Sequence, residues 1–374
     1  MAKVYDIAVL GATACGYAGA IELARRGREV VVVADPGGPA VECPLADWVP
    51  ADTFADCRAL RSVKKAGTEG PFRAIQFHSA DLTDQRAHSR RTILGYLLRP
   101  EGLLAALKRS AAAVGVKSVS AGKAAGVELA ESEVVLAASR QVRARLLLIA
   151  SGAPRQTLTR LSLPGRNVPE GALTLCGLDL SLSPAQRRKL DKDLHLMALG
   201  TNNRLGMFFL AGSRLHVRIT FTDEQVTPSA GGTALSRVIA DLQTHSLLPA
   251  GLNLAKASVA LWRPPGGVAL DLETHLAKRT LLVGTAGGFA SAMSGQTLDA
   301  TIRSAMVAAD VADRALEAPA PQDVLAEYKS LWRDPLADRI RTPGTSIRML
   351  MPMVLSNRTI TARFARAFLF GEPI

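Results

Sequence analysis

The stretch "IAVLGATACGYAGAIELARRGREVVVVADPGG" (residues 7–38) decides the fold. Val4, Ile7, Ala8, Val9 and Leu10 form one short apolar run, and Val30 to Val33 form another. Both have the length and composition of parallel strands covered on two faces. Between them Ala18, Ile21, Leu23 and Ala24 fall on the packed face of a helix, which Gly27 ends as a C′ glycine. Strand, Gly-rich turn, helix and second strand make a β-α-β unit of the dinucleotide-binding kind. The turn departs from the usual G-x-G-x-x-G, because it reads Gly11-Ala12-Thr13-Ala14-Cys15-Gly16. Gly11 keeps the tight turn and Gly16 the close strand–helix packing. Thr13 stands where a second glycine lets the backbone approach a diphosphate. Its hydroxyl can donate to a phosphate oxygen, or its β-branched side chain can obstruct one. The unpaired N–H groups from Ala14 to Gly16 remain available at the helix N terminus. The acid expected at the end of the second strand is Ala34 here, so Asp35, one residue late, is the local substitute.

Working outward, 374 residues at 48% hydrophobic and 21% charged suit one large two-part domain or two ordinary ones. Cys15, Cys43, Cys57 and Cys176 include no C-x-x-C pair, which argues against a disulfide framework or zinc cluster and suits a reducing cytoplasm. The start "MAKVYDIAVLGA" runs directly into a strand, so no signal peptide is expected. Apolar runs such as "LLLIASGA" are too short to span a bilayer. The net charge of +12 favours an anionic partner. Aromatics are only 5% and no basic block is interleaved with them, so nucleic acid is not expected.

Residues 36–95 read as loops with short elements, and a helix follows over Arg99–Val116 with Pro100 placed to start it. Short strands are expected around Ser118–Leu136, then a buried strand in Ala144–Pro154. In "RLHVRITF", Leu215, Val217, Ile219 and Phe221 alternate with His216, Arg218 and Thr220, which marks an antiparallel strand with one solvated or ligand-facing side. "HLMALG" and "GMFFLAG" read as its neighbours. Lys278–Leu316 returns to strand, Gly-rich turn and long helix. The expected class is α/β, α+β overall. A Rossmann-like nucleotide-binding domain (1–75, 96–155 and 270–318) is interrupted by an antiparallel β-sheet substrate domain (76–95 and 156–269). A C-terminal helical tail (319–374) follows.

Four segments carry a resemblance: the Gly11–Asp35 unit, "LLRPEGLLAALKRSAAAVGV", "LLLIASGAPR" and "LLVGTAGGFASAMSGQTLDATIRSAMVAA". Together they resemble the flavoprotein reductase and monooxygenase superfamily with the para-hydroxybenzoate hydroxylase fold, within it the geranylgeranyl reductase-like branch. The last segment is the most specific, and "RMLMPMVLSNRTITARFARAFLFGE" resembles that branch's helical tail. The middle domain matches only in pattern. The resemblance implies a Rossmann-like FAD-binding domain, FAD as cofactor and NAD(P)H as its reductant. Carried onto this sequence, the FAD contacts fall on Gly11, Thr13, Ala14, Cys15, Gly16, Asp35, Arg99, Gly284, Thr285, Gly295, Gln296 and Thr297. Thr285 replaces the family's Asp at the ribityl chain, so Thr13, Ala34 and Thr285 are all departures that touch FAD.

Three functions follow from this resemblance. The first is an FAD-dependent oxidoreductase that reduces double bonds in an apolar, isoprenoid-type small molecule. The second is a flavin monooxygenase that hydroxylates an aromatic substrate, and the third a non-catalytic binding or scaffold protein that has lost FAD. No catalytic residue is named, because in such chemistry the flavin carries the hydride. Phe208, Phe209, Leu215 and Val217 are expected to help wall the apolar pocket.

Other chemistries lack their residues. Tyr5, Tyr17, Tyr96 and Tyr328 have no Lys four positions on, so the short-chain reductase pattern fails. The six histidines show no metal-binding spacing, so no metal is expected. Cys15 and Tyr17 are expected to face the cofactor cleft, and Cys43 and Cys57 to border the flavin ring. After Tyr328, eight basic residues stand against three acidic ones, and Ile360, Phe364 and Phe368 recur one turn apart. Such a helix either contacts an anionic membrane peripherally or packs on its own domain.

Overall fold

A computed structural model describes residues 3–34, 42–120, 126–151, 155–164, 173–199, 204–221, 226–341, 344–345 and 347–373. Asp35 therefore lies outside the described residues. β1 (Val4–Leu10) and β2 (Val30–Val33) pair in parallel around α1 (Ala14–Arg25). The sheet they found runs Leu276–Ala277, Thr280–Leu282, Gln141–Ile149, β1, β2, Lys117–Val119. Pairing is parallel from Thr280–Leu282 across to Lys117–Val119, and Val134–Ala137 and Gly126–Leu129 extend it as antiparallel ribbons. β1 lies between two parallel neighbours under covered faces, so Ile7 to Leu10 are fully buried. On one face α1 packs with α2 (Leu298–Glu317), where Gly19 brings the Ala305 methyl within 3.4 Å of the position its own Cβ would occupy. The helix after Arg99 runs Pro100–Ala113 with Pro100 in its first turn.

The second sheet runs Ala260–Trp262, Thr174–Ser181, Arg214–Phe221, Arg204–Ala211, Leu194–Leu199, Ala74–His78, Gln85–Ser89. It is antiparallel except between Leu194–Leu199 and Ala74–His78. "GMFFLAG" does neighbour "RLHVRITF", but "HLMALG" pairs one strand further out, and Thr174–Ser181 takes the other side. A small third sheet, Asp47–Pro50, Gly95–Leu98 and Gly70–Phe72, completes the strands that bear on the site.

Two expectations are corrected by what covers the second sheet. The helix Pro228–Thr244 covers one face, and the helices Ile347–Ser356 and Arg358–Phe370 cover the other. The alternation in "RLHVRITF" separates two buried faces: His216 and Arg218 are met by Asp179 and Asp47, and with Thr220 they are no more solvated than their neighbours. Phe208, Leu215 and Val217 pack toward Pro228–Thr244 while Phe209 packs toward the C-terminal helices, so they do not share one wall. The Ile360–Phe364–Phe368 stripe serves the same core. Phe364 is 1% and Phe368 5% exposed, with Phe364 edge-on to Phe77 at 5.5 Å and Phe368 stacked on Trp48 at 5.5 Å. The apolar face offered for a membrane is already covered by protein. Among the described residues, no helix is long and apolar enough to cross a membrane.

Candidate functional site

The Gly-rich turn is shaped by the chain's own packing. A Cβ on Gly16 would lie 2.1 Å from the Gly11 carbonyl oxygen, and one on Gly284, at φ +61°, would lie 2.8 Å from both Ala150 O and Cys15 Sγ. Gly11 meets Ser151 in the same way, and Gly295 meets Leu175. Thr13 is the N-cap of α1: its hydroxyl oxygen accepts the Gly16 N–H at 3.2 Å, and it is 1% exposed. Cys15 and Tyr17 do not open onto a cleft. The Cys15 thiol donates to Thr301 O at 3.2 Å between α1 and α2, and Tyr17 is buried with its hydroxyl 3.4 Å from Ser118 Oγ.

The first N–H groups of α1 are taken by a residue that sequence reasoning missed. Glu42 is 8% exposed and places its carboxylate on the helix N terminus. Oε1 accepts from Cys15 N at 2.9 Å and Oε2 from Ala14 N at 3.4 Å. Burial pushes the Glu42 carboxyl above its ordinary range, while the Cys15 N–H, its own N–H, the Thr13 side chain and the Ala14 N–H pull it back. The one available signal was an acid standing alone in "PGGPAVECPLA", an otherwise Pro-, Gly- and Ala-rich run.

At the other end of the turn pair, Gln296, one residue before the N-cap of α2, holds the first turn of that helix. Its Oε1 accepts the Asp299 N–H at 3.2 Å and its Nε2 donates to Trp48 O at 2.9 Å. Thr285, Gln296 and Thr297 are 5%, 3% and 1% exposed. The space left between Trp48, Gln296, Asp299, Arg339 and Phe368 is about 20 Å³, the size of a single water. Behind it Asp299 accepts from Thr53 Oγ1 at 2.6 Å, Arg303 Nε at 2.6 Å and Arg339 Nη1 at 2.9 Å. Burial raises the Asp299 carboxyl, but Arg303 and Arg339 outweigh it and hold it below the usual carboxylate range.

Residues 42–48 are tied down along their length. Ala46 N donates to Asp179 Oδ2 at 3.3 Å, and Asp179 Oδ1 also holds His216 Nδ1 at 2.8 Å. Asp47 pairs with Arg218 at 3.1 Å, both side chains 1% exposed. Cys43 and Cys57 are buried, and burial drives both thiols up, Cys57 to about 12, so neither is a poised nucleophile. Arg99 is tied to Glu69 at 2.6 Å. Glu69 lines a cavity of about 530 Å³ together with Leu97, Arg187, Lys192 and Gly212, and no residue of the Gly-rich turns reaches it. The buried histidines also have structural partners: His78 Nε2 meets His195 Nδ1 at 3.0 Å, and His275 Nε2 meets Gly287 O at 2.9 Å.

Of the expected FAD positions, then, Gly11, Thr13, Ala14, Cys15, Gly16 and Gly284 cluster at the α1 turn, and Gly295, Gln296 and Thr297 sit at the start of α2. Arg99 is engaged by Glu69. Among the described residues, the Ala14 and Cys15 N–H groups are engaged by Glu42, and Thr13, Thr285, Gln296 and Thr297 are covered by the chain's own contacts.

A parallel β-α-β sheet re-entered after an antiparallel sheet, with Gly-rich turns leading into α1 and α2, defines the flavoprotein oxidoreductase class of fold. More narrowly, the chain has the para-hydroxybenzoate hydroxylase-type fold. It is similar to a geranylgeranyl bacteriochlorophyll reductase-like protein from Thermoplasma acidophilum, with a TM-score of 0.75 and 16% identity over 99% of this chain and 97% of that one. It is also similar to PqsL, a probable FAD-dependent monooxygenase from Pseudomonas aeruginosa, with a TM-score of 0.69 and 18% identity over 96% and 99% of the two chains. The p-nitrophenol 4-monooxygenase PnpA from Pseudomonas putida aligns with a TM-score of 0.68 and 13% identity over 98% and 94%. No protein-family model and no curated protein sequence matches the chain.

Proposed function

We propose that this chain is a binding or scaffold protein built on the FAD-oxidoreductase fold and holding no resident FAD. One observation carries the reading: Thr13, Thr285, Gln296 and Thr297, the side chains expected to face FAD, are each 5% exposed or less. A cofactor cleft formed for a ligand is concave and leaves its lining accessible when the ligand is set aside. Here the lining is spent on the chain's own contacts. The retained glycines do not oppose this, since each has a packing reason within the chain. Purified protein is expected to show no visible flavin absorption and no uptake of added FAD. A yellow protein, or a Kd for FAD below about 1 µM (about −8 kcal/mol), overturns the reading.

The second reading is an FAD-dependent oxidoreductase acting on an apolar, isoprenoid-type substrate with NAD(P)H as reductant. It is favoured by the near-complete overlap with the reductase-like structure from Thermoplasma acidophilum. Aromatic hydroxylation is its monooxygenase variant. Both need the covered positions at the two helix N termini to open.

A further inference from the structure

We propose that Glu42 is the resident anion of the α1 N terminus, so that its carboxylate takes the place of a dinucleotide diphosphate and a diphosphate reaches Ala14 N and Cys15 N only when Glu42 withdraws. The proposal rests on the reading of the chain as holding no resident FAD and names the group responsible at the diphosphate end. Three features of the geometry support it.

The contact is two-pronged. One oxygen lies on each of two successive N–H groups, at 2.9 and 3.4 Å, which is how a helix N terminus holds an anion. The helix macrodipole adds a positive end of about half a charge at this point. Second, among the described residues the carboxylate is held by N–H and hydroxyl groups of the turn and by no cation. A buried carboxylate without a counter-ion is costly in any other place. Glu42 is therefore tolerated at 8% exposure because the helix terminus receives it, and the helix N–H groups are satisfied because Glu42 is there. Third, the contact joins residues 27 and 28 positions apart, and the segment after Glu42 is fastened separately through Ala46, Asp47 and Trp48. The carboxylate is thus a discrete plug at the turn. A diphosphate meets it both sterically and as a like charge.

The test uses ADP and FAD with the full chain and its Glu42→Ala and Glu42→Gln variants, measured by calorimetric titration. ADP carries the diphosphate without the flavin ring, which separates this end of the cleft from the covered end at Gln296. Glu42→Ala vacates the N–H groups and is expected to bind ADP at least about tenfold more tightly than the unaltered chain. Glu42→Gln keeps the shape, removes the charge, and is expected to gain about threefold. Thermal unfolding of each variant confirms the fold. If Glu42→Ala fails to fold, Glu42→Gln decides alone.

Folded variants that bind ADP no more tightly than the unaltered chain overturn the proposal. If that chain is still colourless, the FAD-free reading stands and the closure lies elsewhere. If the unaltered chain takes up FAD tightly, the FAD-free reading falls and the proposal that rests on it falls too.

Discussion

Breaking the Asp47–Arg218 pair tests how the segment behind Glu42 is held. Both side chains are 1% exposed, with Nη1 and Oδ1 3.1 Å apart. At that distance the Coulomb attraction is about 5 kcal/mol at an effective dielectric of about 20. Against it stands a desolvation cost of several kcal/mol for each ion. The net contribution is small. The Asp47 carboxyl shows the same balance, since burial pushes it up against the pull of Arg218 and the Trp48 N–H.

Removing one partner is a different matter. Asp47→Asn leaves a buried guanidinium whose Nη2 already lacks a partner, and arginine cannot shed its proton. The expected loss is about 3–5 kcal/mol, nearly independent of pH. Arg218→Met leaves a carboxyl, which can protonate instead. Its folded pKa then lies further above the unfolded value of about 3.9, so the unfolded chain releases the proton first and stability falls as pH rises. The loss for Arg218→Met is therefore small near about pH 4 and grows by up to about 1.4 kcal/mol per pH unit until the folded state also ionises. Replacing both, as Asp47→Leu with Arg218→Met, is expected to stay within about 1 kcal/mol of the original or to stabilise. Urea unfolding followed by tryptophan fluorescence at acid and neutral pH measures all three. An Asp47→Asn cost under about 1 kcal/mol, or an Arg218→Met cost unchanged with pH, refutes the argument.

Two further predictions separate roles that the sequence leaves open. Thr13→Val removes the N-cap acceptor of the Gly16 N–H and is expected to cost about 1 kcal/mol in urea unfolding while leaving FAD uptake unchanged. A variant of unaltered stability with altered FAD uptake returns Thr13 to the ligand. Phe364→Ala empties a 1%-exposed site against Phe77 and is expected to cost about 3–5 kcal/mol in the same assay. A loss under about 1 kcal/mol means that the stripe is not part of the core in solution and reopens the membrane contact.

The β1–α1–β2 unit was legible because its signals are local: two β-branched runs, one helical face and Gly27 at φ +85°. The second Gly-rich turn and the long α2 were legible for the same reason. What covers a face is not local. "RLHVRITF" announces a strand whichever side is wet, and only the arrival of Pro228–Thr244 on one face and of Asp47 and Asp179 against Arg218 and His216 on the other buries both. The Ile360–Phe364–Phe368 spacing likewise describes an amphipathic helix without saying whether lipid or Phe77 and Trp48 will meet it. The cofactor site divides along the same line. A glycine pattern reports where backbone must come close to backbone or side chain, and Gly16 and Gly284 answer to the Gly11 carbonyl, Ala150 and Cys15. Whether a ligand is held is reported instead by which charge faces the helix N terminus. In flavoproteins the two coincide, which is why the motif is read as a cofactor site. Here they have separated: the glycines keep the architecture of the turn, and a carboxylate 26 residues beyond Gly16 supplies the negative charge that the architecture accommodates.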